Sequence, residues 1–135
     1  MDTYQKLDPE IKASWLANLR SGDYAQTRGL LRRDVAVEGI PAGYCCLGVL
    51  ADSIIESPLG EGMGWMKTDN RDLGGYFGRE GVTNRFSDDV TAGTLPDWIR
   101  EVIGLDSNAA DHLIRMNDRF NRSFDEIATW VEENL

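Results

Sequence analysis

Apolar residues first settle into a clear rhythm at Ile11, Trp15 and Leu19, each four positions after the last. That period puts them on one stripe of a helix. Both ends of the helix are marked. Asp8 can cap its start, Pro9 suits the first helical position, and Glu10 complements the positive end of the dipole. Arg20 falls in the last turn and Gly22 can take the left-handed stop. The helical period returns between Tyr44 and Ile55, where Cys46, Leu50 and Ile54 share a face and Leu47 and Ala51 lie beside it. This reads as a short buried helix. Gly48 inside it costs about 1 kcal/mol relative to alanine, so a close approach by a neighbour is expected there. The stretch "ESPLGEGMG" forbids continuation.

The last third of the chain is helical and well punctuated. "LPDWIREVIGL" starts with Pro96 near its first turn and stops at Gly104, with Trp98, Ile99 and Val102 as the predicted inner face. "SNAADHLIRMND" follows, with Ser107 as its cap and Ala109, Leu113 and Met116 facing inward. "SFDEIATWVEENL" opens with Ser123 and Glu126 at capping-box spacing and carries Phe124, Ile127, Ala128 and Val131 as a buried stripe. Three short helices packed as a sub-bundle are predicted.

Between these blocks the helical period is lost. "DVAVEGI" alternates as a short strand does, with part of 24–32 as its hairpin partner. Residues 60–81 hold seven of the fourteen glycines, interleaved with aromatic residues and arginines. A short hairpin is expected inside this run, near "GWMKT" and "GYFG". The predicted fold is therefore one α-rich α+β domain over residues 1–135. It has four to five short helices with a small β-hairpin or sheet, and residues 60–86 form a glycine-rich central loop or insertion.

Charge narrows the partners. Residues 1–50 balance six basic against six acidic side chains, while residues 51–135 hold eight basic and seventeen acidic, which is the whole net charge of −9. So acidic a surface repels phosphate backbones, and no direct nucleic-acid binding is expected. No apolar run approaches the roughly 20 residues of a membrane helix. "MDTYQKLDPE" has no basic start, apolar region or cleavage site, so no secretory signal is expected and the cytosol is the expected location.

Candidate chemistry is sparse. The only cysteines are the adjacent pair Cys45 and Cys46, and the only histidine is His112. A vicinal disulfide would force strained geometry, and no further cysteine completes a zinc site. The thiols read as packing groups; the alternative is a nucleophile activated at a helix start. His112 sits at the margin of an apolar stripe. Neither "TDNRD" nor "MNDRFNRSFDE" keeps the oxygen ligands of a calcium loop, and no P-loop, GxSxG or HExxH is present. No catalytic residue, metal ligand or cofactor is therefore assigned. Arg28, Arg32 and Arg33 form a small basic cluster that reads first as a solvated face; its functional reading, which three arginines in six positions do not secure, is an anion site. The favoured site is the central segment. There Trp65, Tyr76 and Phe77 can stack on planar rings, and Arg71, Arg79 and Arg85 can pair with phosphate or carboxylate.

Three blocks, "SWLANLRSGDYAQTRGLL" (14–31), "YCCLGVLAD" (44–52) and "LIRMNDRFNRSFDEIATWVEENL" (113–135), resemble small proteins of tailed bacteriophages and prophages. That resemblance implies an accessory protein acting in the cytoplasm of a bacterial host. Residues 56–93 lie outside it. The expected function is non-catalytic: binding a host protein, or sequestering a small anionic, nucleotide-like effector, in the service of countering host defence. The alternatives are a small enzyme with Cys45 or Cys46 as nucleophile, and a structural or assembly protein of the particle.

Overall fold

Helix α1 (Pro9–Arg20) begins where its cap predicts: the Asp8 carboxylate accepts the backbone N–H of Glu10 and Ile11 at 3.0 and 3.1 Å. The computed structural model describes residues 6–34, 36, 39–66, 74–79, 90–91 and 94–135. Within them Ile11, Trp15 and Leu19 are buried as one stripe, and Gly22 takes a positive φ of 80° just past the helix end. Trp15 is fully buried and its indole N–H donates to the carbonyl of Cys46 at 3.0 Å. That bond fastens α1 to α2 (Cys46–Glu56), and Asn18 donates to Ser53 at 2.8 Å further along the same contact.

Helix α2 is the centre of the core. Eight of its eleven residues, including Cys46, Leu47, Leu50 and Ile54, are buried. Gly48 explains its own cost: a Cβ there would meet the carbonyl oxygen of Leu31 at 1.8 Å. Leu31 O also accepts the N–H of Cys45 at 3.1 Å, so the chain before β1 (Arg32–Arg33) lies directly on the helix.

The strands are short and antiparallel. β1 pairs with β2 (Gly43–Tyr44) and with the first two residues of β4 (Gly74–Arg79). The remainder of β4 pairs with β3 (Met63–Met66) and with β5 (Val90–Thr91). The resulting order is β2-β1-β4-β3, with β5 joined to β4. The hairpin expected near "GWMKT" and "GYFG" is thus β3–β4, with Trp65 opposite Phe77. The strand expected over 34–40 lies largely outside the described residues, because Val35, Val37 and Glu38 do. Among the described residues the 24–32 stretch pairs with Tyr44, which forms a parallel bridge with Gln26 and faces Arg32 on β1, and Arg32 also faces Gly75 on β4.

Helices α3 (Asp97–Ile103), α4 (Ser107–Asp118) and α5 (Phe124–Asn134) complete an α+β domain with five helices among the described residues. Two details of α3 and α4 differ from the sequence reading. Val102 is 58% exposed, and Ile103, four residues after Ile99, takes the inner position instead. With only seven residues, α3 buries the pair spaced one turn apart. Helix α4 is capped by Asp106, whose carboxylate accepts the N–H of Asn108 at 2.8 Å, while Ser107 is its first residue. The capping box of α5 forms as predicted, and the Ser123 N–H holds the Glu126 carboxyl below the usual carboxylate range. The stripe Phe124, Ile127, Ala128 and Val131 is buried.

Candidate functional site

Four of the six predicted site residues lie on the β3–β4 hairpin. Trp65 stands half-buried on β3, and Phe77 opposite it is fully buried, a core residue with its ring 5.7 Å from the indole. Tyr76 and Arg79 lie on β4, in register with Met66 and Met63. Arg71 and Arg85 fall outside the described residues.

Around Trp65 the fold gathers side chains that the sequence reading had not grouped: Tyr24, Arg32, Tyr44 and Asp52. Asp52, on α2, accepts from the Tyr24 hydroxyl at 2.5 Å and from the Trp65 indole N–H at 3.2 Å. Tyr44 meets Tyr24 edge-on at 5.0 Å and Trp65 at 5.9 Å. The Arg32 guanidinium lies 5.7 Å from the Tyr44 ring and 5.6 Å from the Trp65 ring, and its Nε is held by Asp34 at 2.8 Å. Register permits this reach, because the β4 residue opposite Arg32 is Gly75, which offers no side chain to intervene. Burial first, then the hydrogen bond to Asp52, pushes the Tyr24 hydroxyl above the usual tyrosine range. Burial raises Tyr44 as well, against the opposing effect of Arg32. The rings face a cation the chain itself supplies. The cluster is a filled cage that ties the loop after α1, the sheet and α2 together.

The cysteines pack. Both are buried, and Cys46 Sγ lies 3.5 Å from the carbonyl of Leu113. Burial pushes the Cys45 thiol up to about 12 and raises Cys46 well above its ordinary value. A thiol so placed stays protonated at neutral pH, the opposite of what nucleophilic activation requires. Among the described residues no group of three His, Cys, Asp or Glu is placed to hold a metal ion, and no helix is long and apolar enough to cross a membrane.

Among the described residues a larger open space lies elsewhere. Between α4 and α5 runs a groove of about 490 Å³, lined by His112, Met116, Phe120 and Trp130 and edged by Glu126 and Glu133. Phe120, just past the end of α4, is 57% exposed. His112 packs against Trp130 with ring centroids 4.8 Å apart and planes tilted by 44°. Arg122 also borders the groove, and its charge is matched by Glu126 at 3.3 Å. The helix pair, residues 106–135, carries seven acidic side chains against three basic ones. Phe120 and Trp130 were not among the predicted site residues. Their signal was present in the sequence: both are large aromatics that sit off the buried stripes of their own segments.

A family model described as "Domain of unknown function (DUF8296)" matches residues 7–135. No curated protein and no solved structure matches the chain.

Proposed function

We propose that this chain, which belongs to the DUF8296 family of domains of unknown function, is a binding protein that docks a basic protein partner in the groove between α4 and α5. One observation carries this reading: an aromatic ring 57% exposed beside a half-buried tryptophan, on a helix pair with an acidic excess. Protein interfaces concentrate their energy on such aromatic anchors, with charges at the rim. A partner that inserts an apolar side chain flanked by lysine or arginine satisfies both the groove floor and its edge. The acidic edge steers such a partner in and repels acidic ones, so association slows as salt rises. The resemblance to phage and prophage proteins makes a bacterial host protein the proposed partner, with interference in host defence as the purpose.

The test is site-specific photo-crosslinking in bacterial cells. A crosslinker at position 120 is compared with one at position 102, where Val102 is equally exposed on α3 and does not line this groove. The reading expects a discrete adduct from position 120 alone. The captured protein is then purified and its affinity measured against wild type and Phe120→Asp. Equal adducts from both positions, or unchanged affinity in Phe120→Asp, would sink the proposal.

A further inference from the structure

A second, polar crevice of about 200 Å³ opens where the loop after α1 meets the end of α4, walled by Gln26, Arg28, Pro41, Asn117 and Asn121. Much of its wall is already engaged. Asn117 is 1% exposed and uses all its capacity: Oδ1 accepts from Gln26 and from the Cys46 N–H, and Nδ2 donates to Thr27 O and Asp118. Both Gln26 Nε2 protons are engaged as well, by Asn117 and by the carbonyl of Arg122.

Three groups remain for a ligand. The Arg28 guanidinium donates at 3.2 Å to Asn121 Oδ1 and at a long 3.4 Å to Gly39 O, leaving further N–H groups over. The Asn121 Nδ2 and the Gln26 Oε1 have no partner among the described residues. Asn121 is the one described non-glycine residue at positive φ, 52°, and that left-handed turn brings its carboxamide to Arg28.

A second charge lies against the Arg28 backbone, outside the crevice lining. Arg33 is only 9% exposed; its Nη2 donates to the carbonyl of Arg28 at 3.1 Å, and its buried Nε has no hydrogen-bond partner. In a chain with 23 acidic residues to 14 basic ones, carboxylates are plentiful, yet among the described residues neither Arg28 nor Arg33 is ion-paired. Asp118 makes no ion pair with either arginine; its Oδ1 accepts the Gly29 N–H at 3.2 Å and the Asn117 carboxamide at 2.9 Å. A buried guanidinium without a counter-ion is costly, and a ligand anion offsets that cost.

We propose that this crevice binds a small oxyanion, a phosphate or carboxylate group, through the Arg28 guanidinium and the Asn121 carboxamide N–H, with Arg33 as the buried second charge. Gln26 Oε1 supplies an acceptor for a protonated oxygen or an adjacent N–H of the ligand. The volume suits the anionic group itself, so the rest of a larger ligand lies outside. This site is separate from the docking groove, and neither reading depends on the other.

The experiment is a two-dimensional amide NMR titration of the full chain with inorganic phosphate and, separately, with acetate. Ionic strength is held constant with chloride. Saturable shifts at Gln26, Arg28 and Asn121 are expected with at least one anion. Saturation by phosphate alone assigns a phosphate group, by acetate alone a carboxylate, and by both an oxyanion site of either kind. Arg28→Ala should weaken binding at least tenfold. Asn121→Gly, which keeps the left-handed backbone and removes the donor, should weaken it several-fold. The proposal is overturned if neither anion saturates these residues, or if both variants bind as wild type does.

Discussion

The side-chain oxygen of Asn117 accepts the backbone N–H of Cys46 at 3.2 Å, so a residue near the end of α4 caps the start of α2. Helix α2 has no cap of its own, because Cys45 at that position makes no side-chain hydrogen bond to it. Asn117 also holds Gln26 and the Thr27 carbonyl, both at 2.8 Å. One carboxamide thus joins three distant stretches of the chain, the loop after α1, the start of α2 and the end of α4. Asn117→Ala leaves several buried groups unsatisfied and should cost about 3 kcal/mol. Chemical denaturation measures it; a loss under about 1 kcal/mol would show that water replaces the carboxamide.

Gly48→Ala should destabilise despite alanine's better helix propensity. The added methyl would stand 1.8 Å from Leu31 O and 2.7 Å from Leu31 C, both backbone atoms. Separating α2 from the segment before β1 should cost about 3 kcal/mol or more, against the ~1 kcal/mol gained in propensity. Urea midpoints of the two proteins decide it.

The buried thiols predict a loss of stability in alkali. An unfolded cysteine titrates near about 8.5, whereas Cys45 in the fold is raised to about 12 and Cys46 is raised well above its ordinary value. The unfolded chain therefore loses its protons first. The stabilisation is fully present below about pH 8.5 and falls by ~1.4 kcal/mol per thiol for each pH unit above it. For Cys45 that decline continues until about 12. Replacing both cysteines with alanine should flatten the decline between about pH 8.5 and 10.5. In wild type, a thiol reagent should react only as fast as the protein unfolds.

Asp52→Ala should shift the Tyr24 hydroxyl down toward ordinary tyrosine, while burial still holds it partly raised. An ultraviolet titration of the phenolates reads this directly. The same change leaves the Trp65 indole N–H without its acceptor, at a cost of about 1–3 kcal/mol.

Phe120→Asp should leave the melting temperature nearly unchanged, because the ring is 57% exposed and belongs to no buried stripe. Partner affinity should fall by at least tenfold. A large loss of stability instead would mean that Phe120 supports the fold.

Local rules made much of this molecule legible. The caps at Asp8 and Ser123 and the inner faces of α1, α2 and α5 follow from spacing and side-chain chemistry within a single helix. The glycine at position 48 announced a close neighbour without saying that it is Leu31. What escaped depends on contacts between distant segments. The groove needs His112 and Trp130 on two facing helices, and the cage around Trp65 draws on positions 24, 32, 44 and 52. Arg28, Arg32 and Arg33 read as one basic cluster, but strand alternation sends Arg32 to the rings and Arg33 against the Arg28 backbone. Phe77 read as a stacking residue because it is an aromatic ring among glycines and arginines, and its place on β4 puts it in the core.

The N–H of Leu7 donates to the carbonyl of Leu135 at 3.3 Å, and the next N–H, of Asp8, reaches the carbonyl of Ile103 at 2.8 Å. The segment that leads into α1 is therefore fastened at once to the last turn of α5 and to the end of α3, so three helices share one backbone knot.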